Sequence, residues 1–237
     1  MSEPPGSQPP ALEALARALA PFGLILRGGL HPGVDDGAPQ GVGTLLLIGN
    51  AGPALWRVFG QQRAHGADRL NRWTEHAIRP LAARFGAQAL FPFDGPPYWP
   101  FQRWALAAEP VRSSPLGLLI HPRYGLWHAY RAALAFAATD LELPPREAAP
   151  DLCAACAAKP CLTACPVGAF GSAGYDVAAC LAHIRTPAGA DCLSAGCRAR
   201  RACPIGQQYA YEPTQARFHM SAFERRLRDA GPAEAER

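Results

Sequence analysis

Cys153-Ala154-Ala155-Cys156-Ala157-Ala158-Lys159-Pro160-Cys161-Leu162-Thr163-Ala164-Cys165-Pro166 governs how the rest of this chain is understood. Downstream follow Cys180, Cys192, Cys197 and Cys203-Pro204. All eight cysteines of the 237-residue chain lie between Cys153 and Cys203. Soft thiolates packed this densely, with two Cys-Pro pairs among them, are the signature of iron–sulfur ligation. Two [4Fe–4S] clusters require eight thiolates, and eight are present.

Where one chain holds two such clusters, the cysteine preceding proline ligates the cluster of the other motif. That rule assigns Cys153, Cys156, Cys161 and Cys203 to one cluster. It leaves Cys165, Cys180, Cys192 and Cys197 for the second. The spacing departs from the usual run, because Cys156 and Cys161 are separated by four residues and the second motif is wider still. Two other uses of cysteine compete. An even count permits a disulfide framework. However, Met1 to Pro10 shows neither a basic n-region nor an apolar h-region, so no secretory signal is visible, and a reducing cytosol disfavours disulfides. Structural zinc would suit Cys153-x2-Cys156 as half of a tetrahedral site, yet Cys192, Cys197 and Cys203 offer no second knuckle.

The wider composition bounds the setting. Apolar residues at 49% and charged residues at 18% describe a globular core rather than a disordered chain. No run of 18 apolar residues exists, so no membrane span is expected, and the location is expected to be cytoplasmic. Gly 23 and Pro 25 mark a loop-rich fold. The net charge of +4 is modest, but Arg198, Arg200, Arg201, Arg217, Arg225, Arg226 and Arg228 crowd the end of the chain. With no nucleic-acid-binding motif beside them, nucleic acid is not an expected partner. An acidic ferredoxin or flavodoxin is, since charge complementarity speeds encounter. At least one of Arg198, Arg200 and Arg201, which lie between Cys197 and Cys203, is then expected close to a cluster edge. The alternative is a solvated helix face.

Along the chain, residues 1–10 are Pro- and Ser-rich and are expected to be disordered. Ala11 to Ala20 has helical periodicity, stopped by Pro21. Gly43 to Ile48 is an apolar run that predicts a buried strand. Pro53 opens a helix to about Arg63, and Asp68 is a candidate N-cap for another through about Phe85, kinked or ended by Pro80. Gln88 to Phe93 reads as a strand and Phe101 to Glu109 as a helix. Leu116 to Ile120 and Trp127 to Ala137 read as two strands joined by His121-Pro122-Arg123-Tyr124-Gly125. Leu143 to Pro150 is an extended linker. The last segment, 207–237, is a basic tail, helical from about Ser221 to Asp229. These elements predict an α/β (α+β) protein with a larger domain over 11–147 and a cluster domain over 151–206.

Two stretches resemble known families. Cys153-x2-Cys156, Cys161-x3-Cys165-Pro166-Val167-Gly168-Ala169, Cys180 after Asp176, Gly196-Cys197 and Cys203-Pro204 resemble the double [4Fe–4S] module of epoxyqueuosine reductase and the reductive dehalogenases. Leu119-Ile120-His121-Pro122-Arg123-Tyr124-Gly125-Leu126-Trp127-His128-Ala129-Tyr130-Arg131 is similar to the signature stretch of the cobalamin-processing CblC family, with a weaker echo in Pro21-Phe22-Gly23. The first resemblance implies a small ferredoxin-like two-cluster domain. The second implies a flavin-nitroreductase-like domain that binds cobalamin base-off and removes its upper ligand. It also implies that His121, Arg123, Tyr124, Trp127 and Arg131 contact the corrinoid, Arg131 matching a family arginine of the ligand side. Leu119 stands where some members carry Cys.

Both resemblances lead to corrinoid chemistry. Reducing cobalt to its lowest state requires a strongly reducing donor, and iron–sulfur potentials reach that range. The expected function is delivery of low-potential electrons to a base-off cobalamin, or to a corrinoid-dependent protein. The rivals are a cobalamin-dependent substrate reductase and a ferredoxin-like carrier without corrinoid. Residue by residue, plainer roles compete. His121 reads equally as a hydrogen-bonded structural histidine. His128 reads as an exposed residue on the face opposite Trp127. Tyr98, Trp99, Trp104, Tyr124 and Trp127 read as a flat-ligand pocket or, more commonly for aromatics, as core. No catalytic residue is legible.

Overall fold

A computed structural model describes residues 10–61, 68–137, 141–143, 146–172 and 174–229. Residues 1–9 of the N-terminal segment, His65, Pro144 and Pro145 of the linker, and residues 230–237 of the tail lie outside them. In chain order the elements are α1 (Pro10–Leu19), β1 (Ile25–Leu30), β2 (Thr44–Ala51), α2 (Ala54–Gln61), α3 (Arg69–Arg84) and β3 (Gln88–Leu90). Next come α4 (Phe101–Ala108), β4 (Arg112–Ser113), β5 (Leu119–Ile120), β6 (His128–Phe136), α5 (Leu152–Ala155) and α6 (Pro160–Thr163). The chain continues with β7 (Phe170–Gly171), β8 (Gly174–Tyr175), α7 (Val177–Ile184), α8 (Ala190–Ala195), α9 (Arg198–Arg201) and α10 (Pro213–Asp229). Helix and sheet are mixed and the sheets are antiparallel, an α+β architecture. Among the described residues no helix is long and apolar enough to cross a membrane.

Two compact units divide the chain: Met1–Pro110 with His128–Ala148, and Val111–Trp127 with Ala149–Arg237. The first is built on a sheet in the order β1-β2-β6-β3. Strand β2 is buried at seven successive positions, which alternate between faces, so both faces of the sheet centre are covered. That burial explains why Leu45, Leu46, Leu47 and Ile48 form a continuous apolar run. Strand β1 carries little apolar signal of its own, since Gly28 and Gly29 sit within it. Added Cβ atoms there would meet the Ala108 carbonyl and the side chains of Leu46 and Leu143.

Two bulges aim arginines. The register of β1 on β2 slips at Arg27, and that of β6 on β2 slips at Arg131. A bulge re-aims the extra residue's side chain. Arg27 makes a two-pronged ion pair with Glu109, at 2.7 Å on each arm, and both side chains are buried. The Tyr130 hydroxyl donates to the same carboxylate, and the Arg27 guanidinium lies 4.8 Å from the Tyr130 ring centre.

Several sequence expectations change. The strand expected over Leu116–Ile120 is confined to β5, which pairs β4, and the one expected over Trp127–Ala137 is β6, which lies between β2 and β3. His121 and Gly125 exchange backbone hydrogen bonds of 2.9 and 2.8 Å, closing a tight turn. Asp68 stands before α3 in the left-handed region (φ 51°) and its side chain caps nothing. Pro80 does not end α3, which continues to Arg84 on a buried face that includes Trp73, Ala77, Ile78 and Ala82. Helix α10 begins at Pro213, eight residues before Ser221, proline being well suited to a first turn.

Candidate metal centres

Four thiols from three separate places in the second unit line one recess. Cys153 lies in α5, Cys156 directly follows it, Cys161 lies in α6, and Cys203 comes just after α9. The recess encloses about 340 Å³, solvent at its mouth included. Pro115, Ile120, Leu152 and Ile205 supply apolar wall between the sulfurs. Cys203 is itself buried, in a core with Leu116, Ile120, Leu126 and Ala199 against which Cys153, Cys161, Cys165 and Cys197 also pack. Local capping explains how the short helices hold their cysteines. The Asp151 carboxylate accepts from Ala154 N–H at 2.9 Å and starts α5, and Asp176 does the same for α7, from Ala179 N–H at 2.8 Å.

The sulfurs feel one another in two groups. Burial pushes the Cys153 thiol up, and Cys203, Cys161 and Cys156 push it the same way. Cys203 is raised by burial and then by Cys161 and Cys156, against the Ile205 N–H that favours its thiolate. On the other side, burial raises Cys180, assisted by Cys165 and Cys192. Cys197 is raised by burial and by Cys180 and Cys192, while the N–H groups of Arg200 and Ala199 act oppositely. Ala169 N–H donates to the Cys165 sulfur at 3.3 Å. Cys192 is buried with Leu181 and Ile184, and Cys180 packs against that core. Tyr175 stands over this second group, stacked on Phe170 at 4.7 Å between ring centres. Burial first, then Cys180, raises its phenol far above the ordinary range.

All eight cysteines are free of disulfides. Among the described residues no group of three or more His, Cys, Asp or Glu side chains has the geometry to hold a metal ion. A single tetrahedral ion with bonds of about 2.3 Å needs its four sulfurs within roughly 4 Å of one another. A four-iron cluster holds its thiolates further apart, because iron and sulfide fill the space between them. The recess is walled by four thiols and otherwise mainly by apolar groups, with the Ile205 N–H on the Cys203 sulfur, a donor set suited to such a cluster.

The corrinoid candidates are placed as follows. His121, Arg123, Tyr124 and Trp127 belong to the second unit, and Arg131 to the first. His121 Nδ1 accepts from the N–H groups of Arg123 (3.0 Å) and Tyr124 (3.3 Å), and its ring stacks on Tyr124 at 4.4 Å. Arg123 Nε donates to the Tyr209 hydroxyl at 2.9 Å, and Tyr209 meets Tyr124 edge-on at 5.0 Å. Gly125 (φ 57°) lies so close to the chain after Cys203-Pro204 that a Cβ would collide with the Ile205 carbonyl, and a Cβ on Gly206 would collide with Tyr124. This loop therefore packs against the Pro204-Ile205-Gly206 segment, of which Pro204 and Ile205 line the cysteine recess. Trp127 is buried and meets Tyr211 edge-on at 5.5 Å, with the Arg200 guanidinium near both rings, 4.7 Å from that of Trp127 and 4.5 Å from that of Tyr211. Arg131 reaches the Thr74 hydroxyl at 3.4 Å.

His128, expected to be exposed, is buried in β6. Trp104 is core, its Nε1 donating to the Asp36 carbonyl at 2.8 Å. Of the basic residues near the last ligands, Arg198 and Arg201 both pair with Asp191, while Arg200 donates to the Leu126 carbonyl. Sequence reasoning missed Gly125, Gly206 and Tyr209 as supports of the Cys203 loop. The available signal was the glycine three residues beyond Cys203. No family model matches the chain, and no curated protein matches it.

Proposed function

We propose that the second unit holds two [4Fe–4S] clusters and that the protein delivers low-potential electrons to a base-off cobalamin, for reductive removal of its upper ligand or for activation of a corrinoid. The carrying observation is the convergence of Cys203 with Cys153, Cys156 and Cys161 in one recess. Those are the four thiols that the Cys-Pro rule groups across a long stretch of sequence. When bound, iron–sulfur clusters supply one-electron transfer at low potential. The chain's own groups do the rest. Apolar walls limit water around the sulfurs, and N–H donors at Cys165, Cys197 and Cys203 stabilise their thiolate charge. Cys165 and Cys197, from the second set, pack against the core of Cys203, so the two sets adjoin.

The corrinoid half of the reading rests on the resemblance of 119–131 to the CblC signature. In this reading the first unit is the flavin-nitroreductase-like partner of a ferredoxin-like second unit, with an acidic ferredoxin or flavodoxin as donor. One observation favours a second reading, a two-cluster electron carrier without corrinoid: His121, Arg123, Tyr124 and Trp127 are engaged in the packing of the second unit itself. An anaerobic absorption spectrum with and without hydroxocobalamin separates the two. Protein bearing about eight iron per chain that turns the cobalamin spectrum base-off supports the first. The same iron content with an unchanged cobalamin spectrum at high protein excess leaves the carrier.

A further inference from the structure

We propose that Lys159 is the electron-entry contact of the second unit, the positive charge at which an acidic ferredoxin docks against the recess of Cys153, Cys156, Cys161 and Cys203. The inference rests on the iron–sulfur reading above and names a point of entry within it. Lys159 is the single lysine among 23 basic residues. It falls in the lengthened gap between Cys156 and Cys161, and it is the one charged residue on the recess wall.

Its backbone is as unusual as its charge. Lys159 occupies the left-handed region, φ 37° and ψ 53°, which is costly for any residue with a Cβ. Glycine would sit there without strain. Such strain persists where the surroundings over-determine it, and it collects at functional sites. The Lys159 residue is exposed, and no ion pair among the described residues engages it. Four arginines of the second unit are held by carboxylates. Arg198 and Arg201 are held by Asp191, Arg185 by Glu224 and Arg112 by Asp151.

The chemistry follows from charge. Were a cluster held there by four thiolates, the recess would be negative, and reduction would add one further negative charge. A cation on the wall attracts carboxylates on a donor's surface and so favours docking there. In the transfer, one electron leaves the donor's reduced iron–sulfur centre and is taken up within the recess. No bond is made and no proton moves.

The experiment uses the full chain reconstituted anaerobically with iron and sulfide, with Lys159→Gln, Lys159→Gly and Lys159→Arg beside it. The second-order rate constant for reduction by a reduced, acidic [2Fe–2S] ferredoxin is measured between 0.01 and 0.15 M ionic strength. Over that range the Debye length falls from about 30 to about 8 Å. Photoreduced neutral deazaflavin serves as the control donor. Lys159→Gln and Lys159→Gly are expected to slow reduction by ferredoxin about threefold or more at low salt and to flatten its salt dependence. Lys159→Arg keeps the native rate, and deazaflavin reduces all four proteins equally. Lys159→Gln removes the charge alone and Lys159→Gly removes charge and strain together, so an equal loss in both reports the charge. Native ferredoxin rates in both neutral variants overturn the proposal, as does an equal loss with deazaflavin. A native chain that takes up no iron contradicts the iron–sulfur reading itself, and the proposal falls with it.

Discussion

The two units are stabilised in opposite ways. The first has a sheet whose central strand buries Leu45, Leu46, Leu47 and Ile48 almost completely, crossed by a buried ion pair between Arg27 and Glu109. The second has helices of four to eight residues, apart from α10. Helices that short are marginal alone in water, and the two small cores of the second unit are completed by cysteines. An apolar sheet holds itself together. Under the proposed iron–sulfur reading the clusters would join these thiols, and metal binding would become part of folding.

That contrast can be broken most decisively by removing iron. In hydrogen exchange, stripping iron from the reconstituted protein should expose most amides of 151–206 while β2 and β6 keep their protection. Loss of protection in both units together, or in neither, would contradict the contrast.

Next in size are changes to the loop packed against Ile205. Gly125→Val places a side chain against the Ile205 carbonyl in a left-handed backbone position. It should abolish the cluster of Cys203 and lower iron from about eight to about four per chain. Iron analysis with electron paramagnetic resonance checks this, and eight retained iron would show that the loop yields.

In the first unit, Glu109→Gln leaves Arg27 buried without its counter-charge, at a cost of about 3–5 kcal/mol. Leu46→Ala should cost about 2–5 kcal/mol through lost burial and a cavity. Thermal unfolding followed at the first unit measures both. The signals of the second unit should stay unmoved.

The smallest effect lies on the surface of the second unit. Arg198, and then Arg201, hold the Asp191 carboxyl below its usual range. Its contribution is present above the unfolded carboxyl value of about 4 and is lost as pH falls through the lower folded value. Because the pair is exposed, Asp191→Asn should cost less than about 1 kcal/mol. A destabilisation that persists at pH 2 would need another cause.

How far each region could be read in advance follows from the same physics. Strand β2 was legible because burial on both faces demands an unbroken apolar run. Strand β1 was not, because Gly28 and Gly29 have no side chains to show a pattern. The recess of Cys153, Cys156, Cys161 and Cys203 could be anticipated through the Cys-Pro rule. The loop packed behind Ile205 could not, because His121 to Trp127 is continuous in sequence with β6 and only folding assigns it to the second unit. Arg27 and Arg131 sit at bulges, which no alternation of apolar residues announces. The close approach of Gly125 to Ile205 joins residues far apart in the chain. In the sequence it leaves only a glycine where a turn is expected.

The central claim is the crossing of the two cysteine motifs, and Cys203→Ser tests it most directly. Mössbauer and electron paramagnetic resonance spectra of the reconstituted variant should show loss of the cluster held by Cys153, Cys156 and Cys161, with that of Cys165, Cys180, Cys192 and Cys197 intact. Loss of the cluster of its sequence neighbours Cys192 and Cys197, with that of Cys153 preserved, would contradict the account.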